Sequence, residues 1–156
     1  SSMLSIVLAS KGQIQDVGAK VIHIGNNTRS IIKSKSISRL GGIANYRGYI
    51  EVLRDSNSAV SSVVCDGIIV DDESISNTWP SNKILGANAE ISHEAKVGRI
   101  SDEHIFYLGM YGLNEYAAAH IIISGFLGQI AKRLPIEYAI ELKKLIEIEL
   151  SEDEVK

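Results

Sequence analysis

The segment AEISHEAKVGRISDEHIFYLGMYGL, residues 89–113, decides the fold, because a two-residue alternation gives way within it to a helical pattern. Over 89–95, Glu90, Ser92 and Glu94 fall on one face of a strand and Ile91, His93 and Ala95 on the other. At Ser101 the signals change. A serine stands three residues before His104, where it can cap a helix, and Asp102 and Glu103 occupy the first turn, where the helix dipole favours negative charge. The segment therefore predicts a last strand over 89–95 and a helix from Ser101 to near Gly112, with a β-rich chain before it and a helical one after.

Upstream, short β-branched runs alternate with turn residues. Leu4 to Leu8 reads as a strand stopped by Ser10-Lys11-Gly12; Lys20 to Ile24 reads as a second, stopped by Gly25-Asn26-Asn27, which tolerate left-handed backbone. From Arg29 to Leu40 a two-residue period puts Ser30, Ser34, Ser36 and Ser38 on one face, so the run is extended. Gly41-Gly42 turns it. Tyr46 to Leu53 and Val60 to Cys65 follow as strands; Asp66-Gly67 leads into Ile68-Ile69-Val70, which Asp71-Asp72-Glu73 closes. Trp79 and Pro80 are expected to mark a corner, and Asn82 to Leu85 a further strand. So many strands without intervening helices leave a sandwich, a closed barrel or a β-solenoid. The serine-rich face, the Asn and Gly at corners and an aromatic content of 6% favour the solenoid, whose thin interior takes small and β-branched side chains, although no repeat of fixed length is visible.

Downstream, Asn114 can cap a second helix with an apolar stripe of Ala117, Ile121, Phe126 or Leu127, Ile130 and Leu134. Pro135 opens a third, with Ile136, Ala139, Ile140, Leu145 and Ile146 on its apolar side. Three helices in about fifty residues cannot bury all these faces on one another, so a leftover face must dock on the β-part, a partner, or both.

Composition narrows the function. A chain of 156 residues can bury a core without disulfides or metal. A net charge of −3 and a pI near 5.8 argue against nucleic acid as a partner, and the most apolar stretch, 117–127, is too short to span a membrane. The lone Cys65 and the absence of a visible signal peptide point to the cytoplasm. Arg29, Lys33, Lys35, Arg39 and Arg47 form the one basic concentration and, interleaved with serine, read as a solvated face. His23, His104 and His120 show no metal-ligand spacing and read as surface or satisfied core histidines. Cys65, taken by itself, reads as a small buried hydrophobe, and Glu94 as a solvated carboxylate. No Walker A, GxSxG or CxxC pattern is present.

Taken together, VIHIGNNTRS (21–30), SKSIS (34–38), Gly41-Gly42 with Tyr46-Arg47-Gly48, Cys65-Asp66, Thr78-Trp79-Pro80, His93-Glu94-Ala95, Gly98-Arg99-Ile100 with HIFYL (104–108), Gly125-Phe126 and LPIEYA (134–139) resemble the SufB/SufD scaffold family of the SUF iron–sulfur cluster assembly system. The resemblance covers nearly the whole chain but only the C-terminal part of such proteins, so a truncated piece or a short relative is expected. It implies a mainly β plus α fold: a right-handed parallel β-helix over 1–100, then a small helical domain over 101–156. It also implies two partners, an ABC-type ATPase, SufC, docked on residues 101–150, and a second SufB/SufD-like subunit paired through the end of the β-helix.

The family's proposed ligands for a nascent cluster fall on Cys65, Glu94 and His93, a thiolate, a carboxylate and an imidazole that suit iron and sulfide as a mixed set. Neighbouring strand residues point apart, so Glu94 of one copy and His93 of another would meet across an interface. The Ser-His-Glu-Ala run combines features of SufB and SufD, which predicts a homodimer. The expected role is a non-enzymatic scaffold carrying a transient iron–sulfur cluster, with none tightly bound to this fragment and ATPase activity left to SufC. The alternatives are a β-helix enzyme using Glu90 and Glu94 as acid and base, and a purely structural SufC-binding subunit.

Overall fold

The structure, a computed structural model, describes residues 1–151. It contains seven strands, β1 (Ser2–Ala9), β2 (Ile14–His23), β3 (Arg29–Ser38), β4 (Ile43–Val52), β5 (Val60–Ile69), β6 (Ile75–Ile84) and β7 (Glu90–Arg99), followed by three helices, α1 (Asp102–Gly109), α2 (Glu115–Ala131) and α3 (Ile136–Ser151). The odd strands form one sheet in the order β1-β3-β5-β7 and the even strands another, β2-β4-β6, with every pairing parallel. Successive strands alternate between the sheets, and each pairs with the strand two places on. Of the three architectures open to the sequence, only the solenoid winds in this way.

Ser2 pairs with Ile31, Arg29 with Val60 and Val60 with Glu90, while Ile14 pairs with Ile43 and Ile43 with Ile75, so a coil takes 29 to 32 residues. The variation lies in the corners and hides the repeat from a fixed-period reading. Asn27, Ser58 and Asn88, one before each of β3, β5 and β7, all have left-handed backbone, with φ of 55°, 58° and 54°. Asparagine tolerates that conformation better than most residues, and the stacked corners are tied together by Asn27 N–H to the Asn57 carbonyl and Ser58 N–H to the Ala87 carbonyl.

Inward positions alternate with outward ones. Ala19, Ile32, Tyr46, Ile50, Val63 and Cys65 form one buried cluster and Val7, Ala9 and Ala44 another. The serine face points inward as well and satisfies itself: Ser30 donates to Ser61 Oγ at 2.8 Å, Ser36 and Ser76 hydroxyls lie 3.1 Å apart, and Ser38 donates to the Ile75 carbonyl. At β6 and β7 the inward row opens to solvent. Val52 is fully buried whereas Ile84, its register partner, is 47% exposed, because among the described residues no further strand stacks on β6.

Three readings from sequence are corrected. Trp79 and Pro80 do not form a corner but lie inside β6. The N–H groups of Ile75 and Leu85 bond to β4, so odd residues face the sheet and Pro80 turns its missing donor to the open edge, where a strand proline is tolerated. Asp66-Gly67 does not interrupt β5; Gly67 is an inward position where a Cβ would sit 3.0 Å from the hydroxyls of both Ser36 and Ser76. Finally, β2 begins at Ile14 and not at Lys20; its first half, with Gly18 and Ala19, lacks the apolar content that marks a strand.

The strands and the helices separate into two compact units, Ser1–Arg99 and Ile100 onward. In the helical unit Ser101 caps α1 by accepting from His104 N–H, and Asn114 caps α2 by accepting from Ala117 N–H at 2.8 Å, as the sequence predicts. The buried row of α2 is Ala118, Ile123, Leu127 and Ile130, and Ile121 is half exposed. The expected stripe holds at Leu127 and Ile130, but Ala118 and Ile123 are buried in place of Ala117 and Ile121, because α2 is apolar on nearly every side and spacing alone does not pick the packed face. Ile136, Ile140 and Leu145 of α3 stay largely exposed, and α2 and α3 border an apolar groove of about 460 Å³ lined by Leu127, Ala131, Ala139, Leu142 and Ile146.

Candidate functional site

Val63 pairs with His93 and Cys65 with Ala95, which puts Cys65 and His93 on the same inward face of adjacent strands, one step off the direct pairing. Their side chains meet: Cys65 Sγ lies 3.7 Å from His93 Nε2. Cys65 is 4% exposed, and burial, with the Asp66 carboxylate close by, pushes its thiol up to about 11. Burial moves His93 the other way, below the ordinary imidazole range. Both shifts disfavour charge, so at neutral pH the pair is a thiol beside a neutral imidazole. Such a pair has a sulfur and a ring nitrogen ready to bind a borderline metal once the thiol proton leaves.

Glu94 lies on the opposite face of β7. Its carboxylate is exposed and ion-paired with Lys96 at 2.6 Å, which holds it below the usual carboxylate range. The structure thus brings Cys65 and His93 of one chain together and leaves Glu94 outside their pocket. Among the described residues no three His, Cys, Asp or Glu side chains converge as a metal site within one chain.

Two further residues border the pair. Tyr46 of β4 is 3% exposed, belongs to the same cluster as Cys65, and has a buried hydroxyl without a hydrogen-bond partner among the described residues. Burial and the nearby Cys65 raise its phenol to about 12. Two positions on, Gly48 packs closely: a Cβ there would sit 3.1 Å from Tyr46 Cε1, 3.6 Å from Tyr46 Oη and 3.7 Å from His93 Cε1. Sequence reasoning missed both: the alternation Ala44, Tyr46, Gly48, Ile50 is a signal for one face of a strand, but only the packing of the two sheets brings that face to Cys65.

The other candidates resolve one by one. Glu90 and Glu94 share a face but are four residues apart along a strand, about 13 Å at a strand's rise, beyond the carboxylate separations of glycosidases. His23 is a satisfied core histidine, 2.7 Å from Thr28 Oγ1 and 3.0 Å from Ser30 Oγ. His104 bonds to Ser101 beside the start of α1. The basic residues are not all solvated. Arg47 is, pairing with Asp16 and lying 4.5 Å above the Trp79 ring, but Lys35, on a strand flanked by neighbours on both sides, and Arg39, just past the end of that strand, are buried. No helix among the described residues is long and apolar enough to cross a membrane.

Residues 1–126 match the family model described as SUF system FeS cluster assembly, SufBD core domain. The chain is 48% identical over 147 residues to the iron-sulfur cluster assembly protein SufB of Bacillus subtilis, an alignment covering 94% of this chain and 32% of that protein. It is 47% identical over 149 residues to an iron-sulfur cluster assembly SufBD family protein of Staphylococcus epidermidis and 46% identical over 149 residues to one of Staphylococcus saprophyticus, covering 96% of this chain and 32% of each. The chain spans about a third of the length of these curated relatives. With a parallel β-solenoid, three helices and this match over most of its length, the chain belongs to the SufBD core domain family of the SUF iron–sulfur cluster assembly system.

Proposed function

We propose that the chain is the cluster-bearing end of a SufB/SufD-type scaffold subunit. In this reading a right-handed β-helix presents Cys65, His93 and Glu94 to a nascent iron–sulfur cluster, which is cargo and not a resident cofactor. The observation that carries it is the 3.7 Å approach of Cys65 Sγ to His93 Nε2 beside the uncovered inward face of β7. Iron entering there displaces the thiol proton, since a metal-bound thiol is deprotonated outright. Cys65 then binds as thiolate and His93 through its Nε2 lone pair. Glu94 faces away from this pair and serves the neighbouring copy in a homodimer.

The burial of Cys65 means that cargo enters only when the site opens. Opening is assigned to an ABC-type ATPase of the SufC kind, bound through residues 101–150 in the cytoplasm. The apolar groove between α2 and α3 and the exposed Ile136, Ile140 and Leu145 supply a surface for such docking. The scaffold itself catalyses no turnover; ATP hydrolysis belongs to the partner.

The test is anaerobic reconstitution of the native protein with ferrous iron and sulfide. Charge-transfer absorption should appear and be lost in Cys65→Ser; a mutant that keeps it refutes the assignment. Light scattering that finds only monomer at high concentration refutes the homodimer. A purely structural role, favoured by the lack of a third converging ligand among the described residues, requires that Cys65→Ala and Glu94→Ala both retain cluster assembly in cells.

A further inference from the structure

Gly48 stands where a glycine is costly. It occupies a buried, inward position in β4, a strand with neighbours on both sides, and a glycine inside a strand gives up stability and packs no side chain of its own. Backbone conformation does not ask for it: the positive-φ glycines among the described residues are Gly12, Gly41 and Gly112. The position is crowded instead. A Cβ there would meet Tyr46 Cε1 at 3.1 Å, Tyr46 Oη at 3.6 Å and His93 Cε1 at 3.7 Å, and that last carbon is bonded to the Nε2 that faces Cys65 Sγ.

The two neighbours are not equally free to retreat. Tyr46 is buried in the core cluster on the central strand of its sheet. His93 lies on β7, the last strand of the other sheet, and is partly exposed. A methyl group wedged against the tyrosine is therefore relieved by movement of the imidazole. We propose that Gly48 is a positioning residue for the cluster site: its missing side chain lets the His93 imidazole, from the opposite sheet, keep the orientation that sets Nε2 against Cys65 Sγ. This inference rests on the proposed role of Cys65 and His93 as cluster ligands. Gly48 itself touches neither iron nor sulfide and acts through the histidine ring. Ligands already held in place bind a metal without first rearranging, and losing a group that orients a ligand weakens metal binding by about ten- to a hundredfold.

The experiment compares native protein, Gly48→Ala, and Gly48→Ala combined with Tyr46→Leu, first as metal-free crystals and then after anaerobic addition of ferrous iron and sulfide, with Cys65→Ser as control. In Gly48→Ala the Cys65–His93 approach should lengthen while Tyr46 stays in place, and iron should pass to a chelator about tenfold faster than from native protein. Tyr46→Leu removes the two tyrosine atoms that crowd the new methyl, so the combined variant should restore both the approach and the release rate. If Gly48→Ala keeps the native approach, the inference is wrong, whatever its melting temperature. A displaced imidazole with native iron release, while Cys65→Ser abolishes the charge-transfer band, also overturns it and leaves the site standing. If Gly48→Ala does not fold, the combined variant decides: a native approach and release rate support the inference, and an imidazole still turned from Cys65 overturns it. If Cys65→Ser keeps the band, the cluster site itself fails and the inference with it.

Discussion

Cys65 and His93 lie on neighbouring strands of one sheet, and the sulfur of one stands 3.7 Å from the Nε2 of the other in a pocket where neither is charged. The raised thiol pKa has a direct kinetic consequence. Moving it from 9.0 to about 11 cuts the thiolate fraction at neutral pH by roughly a hundredfold, and the thiolate is the nucleophile. Alkylation of Cys65 in the folded protein should therefore be at least that much slower than in urea, and its rate should keep climbing with pH beyond 10. A rate that levels off near pH 8.5 would show an activated thiol and contradict the neutral pair.

His23 predicts the acid limb of stability. His23 is enclosed by two hydroxyls, Thr28 Oγ1 at 2.7 Å from Nδ1 and Ser30 Oγ at 3.0 Å from Nε2. Burial places its folded pKa below the ordinary 6.5, and His93 shifts in the same direction. Below about pH 6.5 the unfolded chain binds protons that the folded chain refuses. Stability should then be full above that value and fall as pH drops towards the lowered folded value. Urea midpoints measured from pH 5 to 8 should show this slope, shallower in His23→Gln. An unchanged slope in that variant would assign the acid limb elsewhere.

How much of this was legible follows from the range of the signals. The serine face of β3 and the Asn corners are local, and they were enough to favour a solenoid; Ser101 and Asn114 announced their helices because a cap is a contact within one turn. The coil repeat stayed hidden because corner lengths differ. Trp79-Pro80 misled because proline signals a turn unless the strand is known to lie at an edge. The Cys65–His93 contact depends on the register of β5 with β7, and the Tyr46–Gly48 contribution on the opposite sheet; neither leaves a mark in local sequence.

The edge geometry of β6 makes adjacent residues respond differently to substitution. The Pro80 nitrogen points away from β4, so Pro80→Ala should change stability by no more than about 0.5 kcal/mol. Trp79 faces the other way, with its N–H in the ladder. Trp79→Pro removes that bond from the sheet and should cost about 3 kcal/mol. Equal costs for the two, read from urea midpoints, would mean that the register of β6 on β4 is wrong.

Glu94 separates folding from function. Among the described residues its ion-pair partner is Lys96, two residues along the same outer face, and both side chains are largely exposed, 54% and 73% accessible respectively. Exposed pairs of this kind contribute little, so Glu94→Gln should leave the melting temperature unchanged. In the proposed homodimer the same carboxylate serves the cluster site of the neighbouring copy, and there its loss should lower cluster yield without altering the Cys65–His93 pair. Mixing a Cys65→Ser subunit with a Glu94→Gln subunit tests this directly. If the two residues act in trans, one of the two sites in the mixed dimer carries both mutations and the other carries neither, so about half of the mixed dimers' sites should regain native absorption. If they act in cis, each site in the mixed dimer keeps one mutation and nothing is recovered.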